Sequence, residues 1–293
     1  MSTEKRRLGD RRDGKLLRDI DGMHLIMPMV YPNRCDNEAF ISERIDLTNI
    51  DKYIADYNSK DPEFKLTLFH VIVASVMKLL VLRPKLNRFI ANKNLYQRNN
   101  YSASFVVKKQ FNDSSEEGMA FLYATEDSTL ETLHDELYKQ IKREKSSGSS
   151  NSTADTLDFF TTIPRFLVKF IIWLLRQLDR HGIVPQSIIA ADPYYASVIF
   201  SNLGSIKLRS GYHHLTNWGT TSIFVVVGEM KKRVFLRDDG TEEYRNSVDL
   251  GLTIDERLAD GYYYSKSIRL LKYILEHPEC LEQPFSTPVD FEK

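Results

Sequence analysis

Two carboxylates four residues apart, Glu256 and Asp260, lie in the polar run Asp255-Glu256-Arg257-Leu258-Ala259-Asp260-Gly261. Carboxylates so placed can abstract a proton, but an ordinary glutamate, with a pKa of about 4.3, is a weak base at neutral pH. Burial and a like-charged neighbour strengthen such a base, and a paired arginine weakens it, so Asp260 and Arg257 act in opposite senses. The other residues with chemical potential are less well placed. Seven histidines show no metal-ligand spacing, and Cys35 and Cys280 are too few for a disulfide framework or a thiolate metal site. His70 falls on or beside an apolar helical face and reads as a core or boundary histidine. His213 and His214, in HHLTNWG, precede the strand-like SIFVVVG and read as a surface or interface pair.

The elements that must hold the Glu256 turn are clear on both sides. Val248, Leu250, Leu252 and Ile254 alternate with Asp249, Gly251, Thr253 and Asp255, which predicts a strand with one buried face. After the turn, Tyr264, Ile268, Leu271 and Leu275 recur at helical spacing, and Pro278 ends the helix. Further strands are predicted at 41–47, 101–107, 119–124 and 222–228, and residues 188–206 carry strand chemistry that includes Ser201. Helices are predicted from Thr48 as N-cap to Tyr57, at 66–82 with Pro84 as terminator, and at 129–142. Asp239-Gly240 supplies the turn into the final strand.

Three segments stand apart. Residues 1–20 form a polar, mildly basic tail with interspersed acids, which argues against a nucleic-acid arm. Residues 145–155, KSSGSSNSTAD, are a Ser/Gly-rich loop with nothing to bury and are expected to be mobile within a single domain spanning 21–293. Residues 165–178, RFLVKFIIWLLRQL, place Arg165, Lys169 and Arg176 on one narrow helical stripe and leave most of the circumference apolar. Packing within the domain or between subunits is expected for this helix, ahead of membrane-surface contact.

Forty basic residues balance forty acidic ones across 293 residues, so no global field favours nucleic acid or membrane. No segment reads as a signal peptide or a membrane span, and two cysteines suit a reducing cytoplasm.

The strand, DERLADG turn and helix resemble the active-site motif of the 2-oxoacid dehydrogenase acyltransferase cores and of chloramphenicol acetyltransferase, Asp-His-Arg-x-x-Asp-Gly. Six of the seven motif positions agree in kind, and Glu256 stands where the family carries its catalytic histidine. Phe200-Ser201-Asn202-Leu203-Gly204 resembles the Ile-Ser-Asn-Leu-Gly of the dehydrogenase cores, and Asp192-Pro193-Tyr194-Tyr195 is closer to chloramphenicol acetyltransferase. The resemblance spans about residues 20–280. It implies a single α/β domain with a mixed central sheet flanked by helices, assembled as a trimer or a multiple of trimers, with each site between subunits and the Glu256 turn facing the Ser201 strand of a neighbour. It implies acyl transfer from coenzyme A as substrate, with no tightly bound cofactor, no metal and a thiol, hydroxyl or amine acceptor. In that chemistry the residue at position 256 is the base, Ser201 stabilises the oxyanion and Asp260 holds the turn. With Glu256 in place of histidine, either weakened transfer or a silent binding or assembly subunit is expected. About 20 residues precede the core, too few for a lipoyl-bearing domain, so a stand-alone core is expected.

Overall fold

A computed structural model describes residues 6–108, 117–146, 160–237 and 239–292. In chain order the principal elements are β1 (Gly14–Leu16), α1 (Gly22–Val30), β2 (Glu38–Asp46), α2 (Thr48–Asn58), α3 (Leu68–Leu82), β3 (Arg88–Ala91) and β4 (Asn94–Arg98). There follow β5 (Tyr101–Lys108), β6 (Glu117–Ala124), α4 (Leu130–Ser146), α5 (Arg165–Arg180), α6 (Gln186–Ala191), β7 (Val198–Asn202), β8 (Ile223–Val227), β9 (Lys231–Leu236), β10 (Glu242–Asp255) and α7 (Gly261–Glu276). The main sheet runs β2-β10-β8-β7-β5-β6, with β9 on the first half of β10, and a small sheet runs β1-β4-β3. β7 lies parallel to both its neighbours while the other pairings are antiparallel, so the sheet is mixed.

The alternation in β10 sets the layers. Val248, Leu250, Leu252 and Ile254 are buried in one core with residues of α3, α4 and α7, and Val225, Val227, Val198, Phe200 and Phe105 join them from neighbouring strands. Helices therefore cover that face. On the opposite face the loop after β7 lies against the sheet so closely that a Cβ on Gly251 would collide with the Gly211 carbonyl oxygen. Glycine is required there by contact between two backbones, not by φ.

Sequence and structure differ in instructive places. β10 begins at Glu242, not Val248, because its exposed first half pairs with β9 as a hairpin. Thr48 is the first helical residue of α2, not its cap; Asp46 accepts hydrogen bonds from the Thr48 N–H and hydroxyl at 2.9 and 2.6 Å. In 188–206 only β7 is strand, since Pro185 and Pro193 open a short helix and a 3₁₀ turn before it. Within the N-terminal stretch, β1 joins the small sheet and Arg11 is buried, paired to Asp13 and Asp179 at 2.8 Å each. Residues 147–155 of the Ser/Gly-rich loop lie outside the described residues.

α5 does not take the first of its two expected settings, full burial within the domain. None of its residues is buried within the chain, so packing inside the domain is confined to one flank. Phe166, Phe170 and Trp173 point outward, each more than half exposed.

His70 sits in the core as expected. Its Nδ1 accepts from the Thr67 N–H at 3.2 Å, closing a capping box at the start of α3. Burial, and secondarily the neighbouring His134, pushes its pKa down from about 6.5 to about 3. The native imidazole is thus neutral where the unfolded one takes up a proton. Stability is complete above pH ~6.5 and falls as pH drops toward 3, by up to about 1.4 kcal/mol per unit. Urea denaturation at pH 4, 5 and 7 should show this slope, and His70→Gln, which keeps a capping-box acceptor without titrating, should flatten it.

Candidate active site

The Glu256 turn is a single 3₁₀ turn, Glu256–Leu258, clamped from three sides. Asp255, fully buried, receives Arg257 as a bidentate pair, Nε to Oδ1 at 2.8 Å and Nη2 to Oδ2 at 2.6 Å. The Asp255 side chain also accepts from the Arg257 backbone N–H at 3.2 Å. Arg257 therefore pairs with Asp255 and not with Glu256. Its Nη1 reaches on to the Tyr31 carbonyl at 2.7 Å, tying α1's end to the turn. A second buried guanidinium, Arg34, lies 3.8 Å from Asp255 and donates to the carbonyls of Thr216, Gly219 and Ile90. Burial lowers the Arg34 pKa from its ordinary value, and Asp255 opposes that shift. Leu258 seals the turn against Ile90 and Leu95 of the small sheet.

The clamp leaves the Glu256 side chain facing out. Its backbone N–H donates to the Asn37 carbonyl at 3.0 Å, whereas the carboxylate has no hydrogen bond or ion pair among the described residues. Asp260 is the N-cap of α7, its Oδ1 accepting from the Tyr263 N–H at 2.8 Å. That backbone hydrogen bond, foremost, holds its pKa below the ordinary value. The Asp of the motif is thus seen positioning the helix. Tyr264 completes the frame by donating to the Asp255 carbonyl at 2.6 Å.

Glu256 and Asp260 open onto a cavity of about 680 Å³ between α1, β2 and α7. Glu43 and Lys272, paired at 3.0 Å, and Arg269 stand on its wall, and His24 and Met27 reach it from α1. Sequence reading missed α1's part in this site. Its signal was Asp21, an N-cap residue followed three positions later by His24, but nothing local tells which cavity such a helix will cover.

Ser201 is elsewhere in the chain. On β7 it is level with Val226 of β8, which is level with Gly251 of β10, five residues before Glu256. At about 3.4 Å per residue and 4.8 Å between strands, the two lie about 20 Å apart within one chain. The structure thus joins Glu256 to Asp260 and leaves Ser201 apart. His213 stacks on Phe224 at 4.7 Å, and His214 lies beside the Leu215 carbonyl, away from the cavity. Among the described residues no group of three or more His, Cys, Asp or Glu side chains is placed to hold a metal ion, and no helix is long and apolar enough to cross a membrane.

The mixed sheet, one helical layer and the strand–turn–helix unit define the fold of the 2-oxoacid dehydrogenase acyltransferase cores and of chloramphenicol acetyltransferase. Among solved structures, a dihydrolipoamide acetyltransferase from Azotobacter vinelandii superposes with a TM-score of 0.59 at 14% identity, over 91% of this chain and 94% of its own. A probable dihydrolipoamide acetyltransferase from Listeria monocytogenes gives 0.54 at 19% identity, over 90% and 95%. A chloramphenicol acetyltransferase gives 0.53 at 11% identity, over 90% and 98%. No family model matches the sequence, and neither does any curated protein.

Removing Arg257 would leave Asp255 buried with only the distant Arg34 as counter-charge. Arg257→Ala is expected to cost about 3–5 kcal/mol in urea denaturation. Arg257→Lys should recover only part of this, because an ammonium cannot make the two parallel contacts.

Proposed function

We propose that this chain transfers an acyl group between coenzyme A and a thiol, hydroxyl or amine acceptor, at the cavity bordered by Glu256. The cavity itself carries the reading. A space of about 680 Å³ meets the retained turn; Lys272 on its wall is paired to Glu43, which leaves Arg269 to meet an anionic donor. The Azotobacter enzyme was solved to define the roles of a serine, a histidine and an asparagine in its mechanism. Ser201, Glu256 and Asp260 are the counterparts we propose here. Glutamate in place of histidine weakens such a site, since a carboxylate is the poorer base and its charge opposes a developing oxyanion.

A second reading, a catalytically silent homologue that keeps the fold for binding or assembly, is favoured by one observation. The Glu256 carboxylate is exposed and, among the described residues, lacks a partner that would turn it into a strong base. Incubation with acetyl-coenzyme A and a panel of acceptors separates the two. Under the first reading the native chain releases free thiol from the donor, and Ser265→Trp, which puts a bulky ring on an exposed residue lining the cavity, abolishes it. Glu256→His should raise transfer about 10-fold or more, because it supplies a base suited to neutral pH and removes the opposing charge. Transfer that appears only with Glu256→His would support the silent reading.

The 20 Å between Ser201 and Glu256 supports a site completed by a neighbouring copy in a trimer or multiple of trimers. So does the apolar surface around Ser201's side of the sheet, where Phe40, Val106 and Tyr123 stand exposed. Light scattering at micromolar concentration should return three or more times the chain mass of 34.0 kDa; a monomer would count against this assembly.

A further inference from the structure

We infer that the working base of this cavity is His24, held by Asp21 on α1, in place of the histidine that position 256 lacks. The inference rests on the acyl-transfer reading above and assigns the proton-handling group within it. His24 Nδ1 lies 2.7 Å from Asp21 Oδ2, while Asp21 Oδ1 accepts from the His24 backbone N–H at 3.0 Å. One carboxylate therefore caps the helix with one oxygen and grips the imidazole with the other. An Nδ1–H donated to a carboxylate fixes the tautomer and leaves Nε2 as a free acceptor. Capping alone accounts for the backbone contact but not for where the ring goes. The His24 side chain is 14% exposed against 64% for Asp21, and His24 lines the same cavity as Glu256.

The placement of α1 is not accidental packing of a loose arm. His24, Met27 and Pro28, at helical spacing, are its inward-facing positions; the remaining residues from Met23 to Val30 are exposed. The helix ends at the Tyr31 carbonyl that Arg257 holds, one residue from Glu256. An orienting carboxylate, an imidazole with a free nitrogen and a cavity are thus fixed to the retained turn.

The step balances without a further reactant. Nε2 takes the proton of the acceptor hydroxyl, thiol or amine as that atom bonds to the thioester carbonyl carbon. The tetrahedral intermediate collapses, the carbon–sulfur bond breaks, and the coenzyme A thiolate leaves with the proton returned by His24.

The test compares His24→Gln, Asp21→Asn and Glu256→Gln in the full chain, with acetyl-coenzyme A as donor. His24→Gln should lower kcat about 100-fold or more with KM for the donor little changed, and should remove the acidic limb of the kcat–pH profile. Asp21→Asn should lower kcat less and displace that limb. Glu256→Gln should still show it. Other charged groups bear on this ring: Glu43, Glu256, Asp260, Arg257, Arg269 and Lys272 share its cavity, and Arg88 interacts with Asp21. Assignment of the limb to His24 therefore depends on its loss in His24→Gln alone. Native kcat and profile in His24→Gln would overturn the inference. A chain that transfers to no acceptor would defeat the acyl-transfer reading and, with it, His24 as a base. A distinct result, transfer abolished by Glu256→Gln and not by His24→Gln, would sink His24 while leaving acyl transfer intact. Nitrogen NMR of the native imidazole adds a readout independent of turnover: Nδ1 protonated, with Nε2 perturbed by added coenzyme A, supports the proposal, and an Nε2 unmoved by saturating coenzyme A contradicts it.

Discussion

The buried pairing of Asp255 with Arg257 is the constraint on which the site depends. Two full charges out of water are tolerated only where geometry and hydrogen bonding are complete, and here they nearly are. Asp255 receives two parallel contacts from Arg257 and a third, weaker one from Arg34, and each guanidinium spends its remaining donors on backbone carbonyls. Those carbonyls belong to the end of α1, to β3 and to the 216–219 loop. The cluster of Asp255, Arg257 and Arg34 at the end of β10 thus holds four separate parts of the chain in register around position 256.

Much of this was legible from residues alone because it is local. The change from a period of two to helical spacing across 248–275 marks strand, turn and helix without any tertiary knowledge. The partner of Arg257 was not legible. Both Asp255 and Glu256 are close in sequence, and only the alternation of β10, which turns Asp255 inward on the face opposite Ile254, decides between them. That Ser201 and Glu256 stand apart within one chain was implied by the resemblance alone; the distance itself depends on the register of three strands far apart in the chain.

α1 and α5 show the same limit from the other side. Both are apolar segments whose composition asks for cover, and both keep much of that surface exposed within one chain. α1 is attached through the Tyr31 carbonyl that Arg257 holds and through its inward positions His24, Met27 and Pro28, while Asp21 caps its start. α5 is anchored near its C-terminus, where Asp179 meets Arg11 and the Tyr195 hydroxyl at 2.8 and 3.0 Å. For α5 the apolar pattern predicts that a helix exists but not how it is attached; α1 was not predicted at all.

The close approach of the 204–213 loop to the sheet has a consequence for how that surface can vary. Gly251 and Gly228 admit the loop backbone where no side chain could stand, and the Glu229 N–H donates to the Leu208 carbonyl at 2.8 Å. The loop is moulded to the strands chiefly by main chain. Tyr212 rests its ring edge-on against Phe40 of β2, but Ile206 and Leu208 are not needed to hold the loop down and stand well exposed. Their identities can change while the shape beneath stays fixed, which makes this loop a rigid template carrying interchangeable lettering.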